Sequence, residues 1–252
     1  MRSIAVYSLK GGVGKTTLAV GLAWAAATRS GRRTLLWDLD PQAGASFLLG
    51  GAANGARQAQ AVFARDLDPA TLVRPTAIER LDLLPADASL RGLDRFLFGL
   101  GKKKRLLKLL DEVGHGYDRV LLDAPPGLTE TSEQVLRAAD LIIVPVIPSP
   151  LSQRALDEVV AFLDSQSLRK GPILPVFSMV DRRRSLHRAA LEARPTWPAI
   201  PMASAFERIS TTPKGRVGPG VAALPAGSAA AGALFGLWAG VENKLARLPR
   251  RD

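Results

Sequence analysis

Short apolar runs recur along the chain without the polar alternation of a half-exposed strand: residues 3–8 ("SIAVYS"), 33–40 ("RTLLWDLD"), 80–87 ("RLDLLPAD"), 117–126 ("YDRVLLDAPP"), 139–148 ("ADLIIVPVIP") and 171–180 ("GPILPVFSMV"), with a shorter one at 196–201. Unbroken apolar strands are buried on both faces, as in a parallel sheet. Between them the apolar spacing turns helical: 15–31, ending in Gly31 as a C-cap, then about 102–113, 130–138, 151–165, 184–193 and 228–247. The alternation predicts an α/β fold, a single domain over residues 1–252 in which a mostly parallel twisted sheet carries helices on both faces. Residues 50–65 read as a flexible, mobile or partner-facing insertion and 212–227 as a Gly/Pro-rich flexible surface loop; no internal repeat is present.

One stretch tests that reading. Residues 217–241 contain no charged side chain and place Gly232, Gly236 and Gly240 at helix-dimer spacing, so length alone would admit a membrane span. Pro219 and Pro225 confine any helix to about Ser228 onward, too short to cross a bilayer, so a loop followed by a partly buried helix is expected.

Charge narrows the partners. The 252 residues carry 34 Lys+Arg against 23 Asp+Glu, a net charge of +11, which favours a polyanionic partner. Cysteine is absent, which excludes a disulfide framework, a thiolate nucleophile, Cys-ligated zinc and a cysteine-held iron–sulfur cluster. The N-terminal apolar run is too short for a signal peptide, so a cytoplasmic location is expected.

The chemistry concentrates where the first strand ends, in "SLKGGVGKTT" (8–17). A strict phosphate-loop pattern needs glycine where Leu9 stands, yet strand, glycine loop, Lys-Thr and helix follow in the required order. Gly11, Gly12 and Gly14 let backbone N–H groups turn around an anion, and the following helix adds its positive end. Lys15 would lie against the β- and γ-phosphates and Thr16 would offer its hydroxyl to Mg²⁺. Asp38 and Asp40 end the second strand and Asp123 ends another, where one carboxylate could hold magnesium and another could position the attacking water.

"LKGGVGKTT", "LLWDLDPQAGAS" and "YDRVLLDAPPGL" together resemble the signature segments of the ParA/MinD family of deviant Walker ATPases, closest to the ParA-type partition branch, and the likeness continues through "LLPADASLRGLD", "AADLIIVPVIPSPLSQRALDEVV" and "FSMVDRRRSLH". The resemblance implies a P-loop NTPase fold, ATP and Mg²⁺ as cofactors, and an ATP-dependent homodimer. It casts Lys10 as the signature lysine that reaches the phosphates of the other subunit. Lys10, Lys15 and Asp40 become the catalytic set, with Gly11, Gly12, Val13, Gly14, Lys15, Thr16 and Thr17 around the phosphates. Thr16, Asp40 and Asp123 serve the metal, Asp38 assists the switch region, and Met179, Pro201 and Met202 lie at the base. The family's Pro-x-Asn base contact is absent, because Ala203 follows Pro201 by two places. Missing cysteine sets aside the iron-protein branch, and two tyrosines set aside a tyrosine-cluster autokinase.

By the same resemblance the dimer binds double-stranded DNA without sequence preference, associates with the nucleoid and is released by slow hydrolysis that a ParB-like or cargo-adaptor protein stimulates. The basic clusters suited to phosphate are "DRRRSLHR" (Arg182, Arg183, Arg184), then Arg208, Lys214 and Arg216, and a third at "GKKKR" (101–105). Aromatic residues are not interleaved with them, which argues against single-strand stacking. The alternative is a MinD-like dimer that binds membrane through a basic amphipathic C-terminal helix; packing of that helix on its own sheet is favoured. A metabolite ligase or kinase using the same loop is the reading from a different class.

Overall fold

The computed structural model describes residues 1–50, 58–101, 103–165, 171–209, 224 and 227–249. In chain order the elements are β1 (Arg2–Val6), α1 (Lys15–Arg29), β2 (Thr34–Asp38), α2 (Gly44–Leu48), α3 (Ala59–Ala64), β3 (Arg74–Pro75), β4 (Leu81–Leu84), α4 (Leu93–Leu100), α5 (Arg105–Gly114), β5 (Arg119–Asp123), α6 (Glu130–Ala138), β6 (Leu141–Val146), α7 (Pro150–Ser165), β7 (Ile173–Val180), α8 (Ser185–Ala193), β8 (Ala199–Pro201), α9 (Ser204–Ile209) and α10 (Ala229–Ala246). Each apolar run expected to form a strand contains one. Among the described residues they make an eight-stranded sheet in the order β3-β4-β2-β5-β1-β6-β7-β8, parallel throughout except for the short edge strand β3.

Both faces of the sheet are covered, and neighbouring residues on a strand serve opposite cores. Ile4, Val6, Leu36, Leu121 and Ile143 pack with α1 and α10 on one side. Ala5, Leu35, Trp37, Leu122 and Ile142 pack with α3 to α7 on the other. This is why the strands read as unbroken apolar runs.

The C-terminal helix belongs to the core. Leu234, Leu237, Trp238, Val241 and Leu245 are buried against the α1 side, each such side chain contributing about 2 kcal/mol of burial. Trp24 stacks on Phe235 at 4.7 Å, and Trp238 Nε1 donates to Ser30 Oγ at 2.8 Å. Arg119 forks onto both Glu242 oxygens at 2.6 and 2.8 Å, tying the far end of α10 to β5. The apolar stripe that a membrane-binding tail would need is therefore occupied, as the packing expectation held. No helix among the described residues is long and apolar enough to cross a membrane.

Two expectations need correction. The segment 50–65 is not wholly a mobile insertion: α3 buries Ala59, Val62 and Phe63, and Asp87 caps it from a distance by accepting from Gln58 N at 2.8 Å and Ala59 N at 2.9 Å. Residues 51–57 lie outside the described residues, as does 212–227 apart from buried Leu224 and Gly227. The helix expected from 102 begins at Arg105, and the sequence reading had no counterpart for α2, α4, α9 or β3. Those elements are short, and α4 shows only Leu93 and Leu97 as buried positions.

Candidate nucleotide site

The site is built at the carboxyl ends of β1, β2, β5 and β7, where an open α/β sheet receives ligands. After β1 the loop turns through Gly12 and Gly14, both at positive φ (72° and 85°), and enters α1 at Lys15. Gly14 also needs its missing Cβ for space: one built there would stand 3.2 Å from Ser178 Oγ and 3.6 Å from Met179 Cε. Ser178 itself donates to the Val13 carbonyl at 2.9 Å, so the end of β7 pins the middle of the loop. Met179 pays for this close approach with a left-handed φ of 53°.

Lys15 is buried, and its Nζ donates to the Lys10 carbonyl at 3.2 Å, closing the loop on itself. Burial lowers its pKa, against the pull of Asp123 and then Asp40, which favour the charged form. The Lys10 side chain leaves the loop in the opposite sense and donates to the Leu151 carbonyl at 2.9 Å, in the first turn of α7. Thr16 sits beneath Gly44, where an added Cβ would come within 3.2 Å of its methyl.

Asp38 and Asp123 are both fully buried. Asp38 accepts from Ser46 Oγ (2.7 Å), Ser46 N (2.8 Å) and Asp40 N (3.1 Å). Burial outweighs these bonds and pushes its pKa up to about 6. Among the described residues neither oxygen of Asp123 has a partner at ordinary hydrogen-bonding geometry. Burial, then the neighbouring Asp38, raises its pKa well above the usual range, while the Thr16 hydroxyl and Lys15 oppose the shift. Asp40 is half-buried and heads a tight turn, accepting from Gln42 N at 2.9 Å, with Ala43 N donating to its carbonyl at 2.8 Å.

A buried carboxylate with no well-formed hydrogen bond among the described residues fits a divalent cation. Asp123, the Thr16 hydroxyl beside it and Asp40 are oxygen ligands of the kind Mg²⁺ takes. Among the described residues no three His, Cys, Asp or Glu side chains form a ready cage. Mg²⁺ needs none, since it keeps waters and phosphate oxygens and takes one or two carboxylates.

Beside Gly14 and Thr17 opens an apolar pocket of about 120 Å³, lined by Met179, Pro201, Met202, Ala203, Phe206 and Leu234 among others. The three residues expected at the base therefore share one pocket with the loop. Arg182, Arg183 and Arg184 are exposed in the turn from β7 to α8, on the same edge of the sheet. Arg183 is engaged locally, gripping both oxygens of Asp181 at 2.9 and 3.0 Å and holding that carboxyl down to about 2. Arg208 is described in backbone only, on α9, and Lys214 and Arg216 lie outside the described residues.

Sequence reasoning missed Ser46, Ser178 and Gly44, the residues that hold the reactive ones. Serine and glycine carry no motif of their own here; only "SMV" at the end of a strand and "AGAS" after the "DLDPQ" turn mark their places.

A family sequence model described as an AAA domain matches residues 1–174. The chromosome partitioning protein ParA of Caulobacter vibrioides is 32% identical over 194 residues, covering 74% of this chain and 72% of that one. The sporulation initiation inhibitor protein Soj of Bacillus subtilis is 35% identical over 145 residues, and the match spans just 57% of each chain. Among solved structures, the Cyanothece McdA(D38A)–ATP complex superposes with a TM-score of 0.79, covering 100% of this chain and 99% of that one at 22% identity, a likeness of fold. Cobyrinic acid a,c-diamide synthase from Mycobacterium smegmatis, with bound ADP and magnesium, gives a TM-score of 0.70 at 29% identity, covering 82% of this chain and 89% of that one. An open α/β sheet with a deviant phosphate loop and two acidic strand ends is a P-loop nucleotide-binding fold. The chain belongs to the ParA/MinD family of P-loop ATPases.

Proposed function

We propose that this chain is an ATP-driven positioning switch. ATP and Mg²⁺ assemble a homodimer, the dimer presents a joined basic surface to double-stranded DNA without sequence preference, and slow hydrolysis returns monomers. A ParB-like or cargo-adaptor protein stimulates that hydrolysis, and the cycle runs in the cytoplasm on the nucleoid. The observation that carries the reading is Asp123, buried and without a well-formed hydrogen bond among the described residues, next to a phosphate loop closed by Lys15.

In this reading the backbone N–H groups of residues 11–15 and the N-terminus of α1 receive the phosphates. Lys15 neutralises charge on the β- and γ-phosphates, and Thr16, Asp40 and Asp123 hold the magnesium, directly or through its waters. Mg²⁺, when bound, would offset the negative charge on the phosphates during transfer. Asp40, half-exposed on its turn, orients the attacking water. Lys10, free to leave the Leu151 carbonyl, completes the partner's site. Met179, Pro201 and Met202 cover the base through apolar contact. Arg182 and Arg184, with Arg208, Lys214 and Arg216, contact DNA phosphates; Arg183 contributes less while it holds Asp181. ATP strengthens DNA binding only by as much as the dimer outbinds the monomer.

The likeness to a synthase with bound ADP and magnesium favours a second reading, chemistry on a small metabolite. A gel-shift titration of duplex DNA of unrelated sequences, with ATP, ADP or no nucleotide, separates the two. The switch requires retardation with ATP alone, equal across sequences and falling steeply with salt; ATP turnover with no DNA or dimer dependence supports the synthase-like alternative.

A further inference from the structure

The basic run at 101–105 is not used by the nucleotide site, and it continues a surface the sequence alone does not reveal. Arg91, in the turn leading into α4, and Arg95 and Phe98, one turn apart on α4, are all exposed, as are Lys103 and Lys104 just beyond the helix. Phe98 is 75% exposed. Among the described residues neither Arg91 nor Arg95 pairs with a carboxylate. The basic run itself holds no aromatic residue, but Phe98 stands just before it on α4.

An open groove of about 670 Å³ lies alongside, lined by Gln60, Ala61, Ala64, Asp66, Ser89, Arg91 and Phe96 among others, so that one carboxylate, Asp66, stands against the four cations around it. Its walls are fixed. Asp87 caps α3, and Gln60 N donates to Ser89 Oγ at 3.0 Å, joining α3 to the turn before α4. On its other side α4 is bonded to the nucleotide site's own frame: Asp94 accepts from Thr131 N at 2.8 Å and from Thr131 Oγ1 at 2.7 Å, at the first turn of α6, the helix that follows Asp123.

We propose that the α3–α4 face docks an acidic segment of a partner protein, with carboxylates on Arg91, Arg95, Lys103 and Lys104 and apolar side chains against Phe98 and in the groove. Charge complementarity selects the acid, and the ring and the alanine-lined floor select apolar side chains between the carboxylates. A DNA backbone would satisfy the cations but leave ring and groove without an apolar partner. A flat lipid surface would leave the groove empty. Asp94 makes this docking a regulatory contact, because an occupant that shifts α4 pulls on the start of α6. That second part rests on the ATPase reading; docking itself does not.

The test is fluorescence anisotropy of a labelled synthetic peptide of alternating glutamate and leucine on the full chain. Arg91→Glu/Arg95→Glu and Phe98→Ser, all at exposed positions, should each weaken binding about tenfold. A charge-matched control, Arg154→Glu/Arg194→Glu, and a peptide with glutamine for glutamate report nonspecific attraction. The proposal requires that the control variant bind as the parent does and that the glutamine peptide not bind. The peptide should also change the ATP turnover of the parent, and that change should vanish in Asp94→Asn and in Thr131→Val. Equal peptide affinity in the parent and Phe98→Ser, or loss on Phe98→Ser of binding to phosphatidylglycerol vesicles or duplex DNA instead, overturns the docking site. A turnover change that survives Asp94→Asn and Thr131→Val overturns the linkage. Peptide binding without any ATP turnover overturns the ATPase reading and leaves the docking site standing.

Discussion

Asp38 and Asp123 stand opposite each other in register on the adjacent parallel strands β2 and β5, and neither exposes any surface. Asp38 is satisfied by Ser46 and the Asp40 amide, whereas Asp123, with the Thr16 hydroxyl beside it, makes no well-formed hydrogen bond among the described residues. The asymmetry separates their work. Asp38 braces the turn that carries Asp40, and in the proposed function Asp123 is the carboxylate that would hold the cation.

Asp123→Asn should therefore stabilise the nucleotide-free protein while abolishing Mg²⁺-dependent nucleotide binding. With the folded pKa raised above 3.8, stability is fully present below that value and is lost as pH rises through the folded pKa. At neutral pH, removing the charge returns about 1–3 kcal/mol, and the melting temperature rises by several degrees. Thermal melts at neutral and acidic pH check this; a lower melting temperature at neutral pH contradicts it.

The two loop lysines should separate in function. Lys15→Ala removes the group proposed to meet the phosphates and should weaken nucleotide binding, whereas Lys10→Ala should bind ATP and remain monomeric. A single interaction of this kind is worth about 1.5–3 kcal/mol, enough for roughly a tenfold to hundredfold loss of affinity. Calorimetric titration of ATP alongside light scattering distinguishes them.

Gly171 is a test of the sheet. A Cβ there would collide with the backbone carbonyl of Asp140, where β7 joins β6. Gly171→Ala should cost about 2–4 kcal/mol, read from urea unfolding. Parental stability would mean that the two strands separate without penalty.

Much of this architecture was legible in the sequence, for a physical reason: strands buried on both faces leave unbroken apolar runs, and a loop that must turn through Gly12 and Gly14 leaves glycines. Lys15, Asp40 and Asp123 could be placed because each terminates such a run or loop. What could not be read were tertiary decisions. Asp87 caps α3 from a distant turn, so 59–64 looked like loop. Ser178 and Ser46 act only through what folding brings beside them, Val13 and Asp38. The stripe of α10 suited membrane and core alike until Trp24, Ser30 and Arg119 were seen to engage it.

The central claim is that one bound nucleotide sets both assembly and DNA binding, and Asp40→Ala tests it most directly. Light scattering of this variant with ATP–Mg²⁺ and with ADP–Mg²⁺, each with and without duplex DNA, reads both at once. The account predicts a lasting dimer that holds DNA in ATP, through slowed hydrolysis, and a monomer that releases it in ADP. A monomer in ATP, equal DNA binding in both nucleotides, or hydrolysis at the parental rate would contradict it.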